Sequence, residues 1–249
     1  MLYFIFIIGA VFGSFYGVVG TRLPEGLSII KPGSHCENCG HVLKWYENIP
    51  ILSYIFLGGQ CKTCKHPIGF VYFLTEILSG CLFALCYKVF GISYEFFIAV
   101  ILSSLVIIIF VSDSKYMIIN DSPLVISAIL IFIIKWLDTG IVSALLSLVY
   151  GLIIFGVAYL LMIFGSLVFK QEALGGGDIK LSFVAGMVLG VKLGILYIVL
   201  ASFLAFPYAV YVTLKNKDNM LPFGPFLVSS LLIIYLNTNI INEIIKLIF

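Results

Sequence analysis

The chain has 249 residues, of which 62% are hydrophobic and 10% charged, and its mean hydropathy is +1.18. A water-soluble chain of this length could not bury so much apolar surface in its core. The net charge of +2 is too small to argue for a nucleic-acid partner.

Runs of about twenty apolar residues recur, each long enough to cross roughly 30 Å of hydrocarbon as a helix. In chain order the expected spans are 2–20, 70–90, 94–113, 121–138, 141–165, 179–191, 193–214 and 222–238. The apolar start, Leu2 to Val19, has no basic lead-in and no small-residue cleavage site, so it reads as a retained first span. The sixth span is short, Lys192 marks a tight turn after it, and Pro207 is expected to kink the seventh. An interfacial amphipathic helix is one reading of residues 237–249. The expected fold is an all-α integral membrane protein of about eight transmembrane helices. Residues 1–21 are its first transmembrane helix, 22–69 a polar, zinc-ribbon-like insertion, and 70–249 a polytopic domain.

Lysine and arginine set the orientation. With the N-terminus outside, the inner loops hold Arg22, Lys31, Lys44, Lys62, Lys65, Lys115, Lys170, Lys180, Lys215 and Lys217, against Lys88, Lys135, Lys192 and Lys246 outside. Both termini are then outside and the insertion is cytoplasmic.

That insertion carries Cys36-Glu-Asn-Cys39 and Cys61-Lys-Thr-Cys64, separated by twenty-one residues. Two such knuckles suit a tetrahedral tetrathiolate zinc site, and a segment with so small a core gains from a metal staple. Disulfides are disfavoured in a reducing cytosol. Redox-active thiols or bare structural cysteines are the other readings. His35, His41 and His66 flank the knuckles and read as solvated loop residues or substitute ligands. Cys81 and Cys86 lie in the second span and read as small hydrophobes.

Three acidic residues are not explained by loop solvation. Glu76 lies inside the second span, where a charge is costly and usually has a partner. Asp113 ends the third span and Asp178 opens the sixth, at the same face of the membrane. A helix cap or the first polar residue after a span would account for either aspartate alone. Together with Gly175-Gly176-Gly177, which lets another chain approach closely, they suggest a carboxyl pair. Helix dipoles would favour the ionised form at Asp178 and the neutral form at Asp113, so that one proton is shared as in aspartic proteases. There is no HExxH, P-loop or dinucleotide fingerprint.

At these residues the chain resembles the type IV prepilin peptidases, membrane aspartic proteases with a GxGD signature. The likeness runs through GSFYGVVGTRLP, HCENCG, WYENIPILSY, GGQCKTCKHPI, LTEILSG and GGGDIKL, essentially the whole length. It implies that Asp178 is one catalytic aspartate. It implies Asp113 as the other, seven positions before Asn120-Asp121, where the family has Pro-Asp or Pro-Asn. Gly175, Gly177, Lys180 and Glu76 are then expected to shape the site, and residues 70–249 are the peptidase domain. The chain departs from the family pattern at Gly17 (usually Asn), Asn120 (usually Pro) and Val71 (often Arg). The resemblance implies cleavage of a short basic leader from prepilins or pseudopilins at the cytoplasmic face of the cell membrane. It also implies contact with pilus or secretion machinery, and N-methylation of the new N-terminus with S-adenosylmethionine. Two readings from other classes stay open, a zinc-bearing membrane ion transporter or relay and a non-catalytic pilus-assembly scaffold.

Overall fold

A computed structural model describes residues 1–169, 174–215 and 221–248; Lys170 and Lys217, counted above toward the inner face, and Glu172 lie outside the described residues. Outside the insertion the described residues are helical nearly throughout; the insertion holds two isolated β-bridges, and no strand occurs among the described residues. The elements are α1 (Leu2–Arg22), a 3-10 turn (Trp45–Asn48), α2 (Leu52–Phe56), α3 (Phe70–Phe90), α4 (Tyr94–Tyr116), α5 (Asp121–Thr139), α6 (Ile141–Phe169), α7 (Gly176–Leu214), α8 (Gly224–Leu236) and α9 (Thr238–Ile248). Six of these are long and apolar enough to cross a membrane, or seven if α8 and α9 form one bent span.

Small residues let the helices close on one another. Along α1, Gly9 and Gly13 sit one turn apart against Ser79, Gly80 and Thr75 of α3, so close that a Cβ on either would meet backbone atoms at 2.6–2.7 Å. This is the small-xxx-small packing that membrane helices use where no hydrophobic drive separates helix from lipid. The contacts pair the start of α1 with the end of α3, so the two run antiparallel and the insertion joins them at one face. Gly17, where the resembled family has Asn, lies 3.1 Å from Tyr72 and Thr75 by the same measure, leaving no room for a longer side chain without repacking.

α7 is two helices, not one. Gly190 leaves helical geometry at φ 72°, ψ −171°, a conformation open essentially to glycine alone. A straight helix would set Ser182 and Tyr197 about 22 Å apart, yet their hydroxyls are 3.2 Å from each other. The chain therefore doubles back at Gly190, two residues before the expected turn at Lys192. Pro207 stays within helical backbone, and Gly190 alone departs from it. The break leaves carbonyls of the first segment without helical partners. Lys135 of α5 donates Nζ to one of them, Met187 O, at 2.6 Å, a cation placed at the negative end of a helix. α9 leaves α8 at 79°.

The main core joins α4, α5, α7 and α8 around Leu102, Leu105, Ile109, Leu181, Val184, Tyr197, Leu227 and Leu231. A smaller cluster around Phe83, Cys86, Phe96 and Ala99 ties α3 to α4.

Candidate active site and metal centre

Asp113 and Asp178, sixty-five positions apart in sequence, come together where α4, α7 and α8 meet. Both are buried, at 6% and 7% exposed, and Ile119 packs both on Gly177, next to Asp178, and on Gly224, which touches Asp113. Asp178 is the third residue of α7. Its Oδ2 accepts the N–H of Gly175 at 3.2 Å, while Gly175 O accepts the Asp178 N–H at 3.1 Å. Since glycine has no side chain, the carboxylate supplies the only side-chain half of this cap.

Asp113 lies in the last turn of α4, and its Oδ2 accepts the N–H of Gly224 at 3.0 Å. Gly224 opens α8 ahead of Pro225, so its N–H is one of the donors that a helix start leaves free. Both carboxylates thus face a helix N-terminus, Asp178 its own and Asp113 that of α8. The dipole asymmetry expected from sequence is absent, because a neighbouring helix supplies at Asp113 what α4 cannot.

Ile119, in the turn between α4 and α5, holds the two sides together. A Cβ on Gly177 would lie 2.6 Å from Ile119 Cβ, and one on Gly224 would lie 2.8 Å from Ile119 Cδ1 and 2.9 Å from Asp113 Oδ2. Gly177 is therefore needed for close approach within the protein, whereas a Cβ on Gly176 would meet nothing within 4 Å. A hydroxyl chain braces Asp178 from behind. Ser182 Oγ donates to Asp178 O at 2.9 Å, so the buried Tyr197 hydroxyl is left to donate to Ser182.

Lys180 points away from the pair. Its Nζ bridges both oxygens of Asp121 at 2.7 Å, tying the start of α7 to the start of α5. Among the described residues no hydrogen bond joins Glu76 to either aspartate. Its Oε2 accepts the N–H of Ile51, at 2.7 Å, from the insertion. Ile119, Gly224 and Tyr197 join the site only through contacts distant in sequence, Ser182 through its bonds to Asp178 and Tyr197, and Asp121 through its pairing with Lys180. The Gly-Pro opening of α8 was the one local signal available.

The four cysteines of the insertion converge. Cys36 and Cys64 sulfurs are 3.7 Å apart, Cys39 and Cys61 3.9 Å, and all four lie within 4.8 Å of one another. A tetrahedron of sulfurs about 2.3 Å from zinc has edges of about 3.8 Å, whereas a disulfide needs about 2.05 Å. The two knuckles fold alike. Cys36 N–H donates to His41 O and Cys61 N–H to His66 O, at 2.9 and 2.8 Å, with left-handed Gly40 and Lys65 closing the respective turns. Backbone N–H of His66, then the Asn38 amide, pull the Cys64 thiol down to about 6. The His41 N–H also lowers Cys39, but the crowding sulfurs outweigh it and push that thiol up to about 12. Four sulfurs this close hold their charge together only with a cation among them, and the donor set fits zinc. His35, His41 and His66 stand outside the sulfur cluster; His41 instead hydrogen-bonds Glu47 Oε2 at 3.0 Å. Glu47 is buried, also accepts the Lys44 N–H, and lies 3.6 Å from Lys62, so it links the two knuckles. The insertion has no strand leading through a glycine-rich turn into a helix, so no residue here is assigned to S-adenosylmethionine.

Comparison with known proteins agrees with this arrangement. Residues 7–90 match the bacterial peptidase A24 N-terminal domain, and residues 100–210 match the type IV leader peptidase family. A Bacillus subtilis protein named prepilin leader peptidase/N-methyltransferase is 39% identical over 252 residues, covering 99% of both chains. A Myxococcus xanthus protein of the same name is 38% identical over 178 residues, 70% of this chain and 52% of its own. One from Vibrio cholerae is 27% identical over 241 residues, 92% and 94% of the two chains. No solved structure matches. With these matches over its whole length, the chain belongs to the type IV leader peptidase family, as an all-helical, multi-pass membrane peptidase.

Proposed function

We propose that this protein removes the leader from type IV prepilins or pseudopilins at the cytoplasmic face of the cell membrane, with Asp113 and Asp178 as an aspartic pair. The observation that carries this reading is the convergence of two buried carboxylates, each at a helix N-terminus, on the contact of Ile119 with Gly177 and Gly224. One proton serves the pair. The ionised carboxylate takes a proton from water as its oxygen attacks the scissile carbonyl; the neutral one donates to the carbonyl oxygen. Proton return to the leaving amine then breaks the C–N bond and restores the pair. The backbone beside Gly176 leaves a peptide room to approach, and Gly175 and Gly224 N–H groups hold the carboxylates in place. The cytoplasmic side rests on the excess of Lys and Arg at the helix ends that carry the aspartates.

The four cysteines would hold a structural zinc ion, which supplies folding free energy to the insertion and no chemistry at the aspartates. N-methylation of the new N-terminus follows the names of the relatives alone.

Single Asp113→Asn and Asp178→Asn variants test the assignment with a purified prepilin in detergent. Loss of cleavage in both, with elution and helicity unchanged, is expected. Retained cleavage in either removes that aspartate from the chemistry, and retention in both favours transport or scaffolding.

A further inference from the structure

The insertion is held against α3 at Ile51 and Tyr54 as well as at its two ends. Its segment Pro50–Phe56 runs back along the first turns of α3. Ile51 N–H reaches Glu76 Oε2 at 2.7 Å, the Tyr54 ring stacks on Phe73 at 4.7 Å between centroids, and the same ring meets Phe70 edge-on at 6.4 Å. The backbone is strained to do so. Ile51 sits at φ 65°, ψ −53°, with Leu52 N–H donating to Pro50 O at 2.6 Å. This is the rare form of γ-turn, and a positive φ is an outlier for a β-branched residue. Such strain persists only where the surroundings over-determine it.

The depth of this segment follows from the length of α3. Its 21 residues extend about 32 Å, which barely covers the roughly 30 Å of hydrocarbon. The first turns of α3 therefore have no slack to stand in water. Phe73 and Glu76 lie about 4–9 Å below the start of the helix, and α2 lies against them. That matches the depth of about 5–10 Å to which interfacial segments bury their apolar side chains. The side chains that α2 leaves uncovered are apolar: Leu52 is 50% exposed, Ile55 60% and Phe56 83%, with Phe70 and Val71 of α3 exposed at the same level.

We propose that residues 50–57 form a wedge among the lipid acyl chains, with Glu76 as its polar anchor inside the span. The second cysteine knuckle hangs from this wedge, since Gly59 N–H donates to Tyr54 O at 2.8 Å and Ile68 N–H to Gly59 O at 2.7 Å. The wedge thereby fixes the height of the tetracysteine module above the bilayer. The inference does not depend on the cleavage reaction.

The test uses the full chain in phosphatidylcholine vesicles. The protein has two tryptophans, Trp45 and Trp136; replacing both by Phe and introducing Phe56→Trp gives a single reporter at an exposed, tolerant position. Its emission should be blue-shifted, quenched by lipid brominated near the top of the chains, and untouched by aqueous iodide. Quenching by iodide and not by brominated lipid would overturn the proposal, and so would protection from both, which would mean a protein covers the face. Adding Glu76→Ala should shift the reporter from lipid quenching toward iodide quenching; an unchanged ratio would remove Glu76 as the anchor.

Discussion

Gly224 donates its backbone N–H to Asp113 Oδ2 at 3.0 Å, across 111 positions of sequence. This bond turns the start of α8 toward a carboxylate that its own helix would repel. It makes Gly224, rather than any residue near Asp113 in sequence, the group that orients the first aspartate.

Gly224→Ala should therefore damage cleavage without removing either aspartate. The added Cβ would fall 2.9 Å from Asp113 Oδ2 and 2.8 Å from Ile119 Cδ1. Overpacking of this kind costs about 1–3 kcal/mol; falling on the geometry that orients Asp113, it lowers kcat/KM by about 5-fold to about 140-fold at about 1.4 kcal/mol per decade. Leader-peptide kinetics with the purified variant check it; activity within twofold of the parent contradicts it.

Gly177→Ala should be impaired through Ile119, which its Cβ would approach to 2.6 Å. Because the two side chains then compete for one space, Ile119→Ala should partly restore the Gly177→Ala variant. Residues in contact couple by about 0.5–3 kcal/mol. A double-substitution cycle on cleavage rate measures this, and strictly multiplicative losses would mean that Ile119 does not mediate.

Much of this was legible in the sequence. Long apolar runs gave the spans within a few residues, because a membrane helix needs about twenty of them whatever it packs against. The CxxC spacing announced four converging sulfurs, and the scarcity of acidic residues drew attention to Asp113, Asp178 and Glu76. What was hidden depends on contacts distant in sequence. At Asp113 the dipole of α4 is local in sequence, whereas the N-terminus of α8 that meets it is 111 positions away. Lys180, two residues from Asp178, lies on the opposite side of the helix and pairs with Asp121. The break in α7 was legible to within two residues, at Lys192, but its place at Gly190 was not, since membrane helices tolerate glycine inside a span as well. The spacing of Gly9 and Gly13 was a readable signal for α1–α3 packing that periodicity of apolar residues does not reveal.

Purified protein should carry about one zinc ion per chain, the capacity of one tetrathiolate site. Cys36→Ser should lower that content sharply and expose residues 33–68 to protease, because structural zinc contributes folding free energy directly. Unchanged protease resistance after complete metal removal contradicts a structural role.

The insertion should also loosen in acid through Glu47. The Lys44 N–H, then His41, hold this carboxyl below its usual range. A group depressed in the folded state contributes stability that is present above its unfolded value and lost as pH falls through the folded one. Protease sensitivity of residues 33–68 should rise as pH drops through and below the usual carboxylate range. Glu47→Gln should be more sensitive at neutral pH and respond less to that drop. An identical pH response in both proteins would discount Glu47.

The pH–rate profile of leader cleavage by the purified enzyme in a bilayer tests the shared-proton pair most directly. Two carboxyls holding one proton are active only between two ionisations, which belong to the pair and not to either residue. The account predicts a bell with one rising and one falling limb, both abolished with the activity itself in Asp113→Asn and Asp178→Asn. A profile with a single limb, or a variant that cleaves at the parent rate, would contradict it.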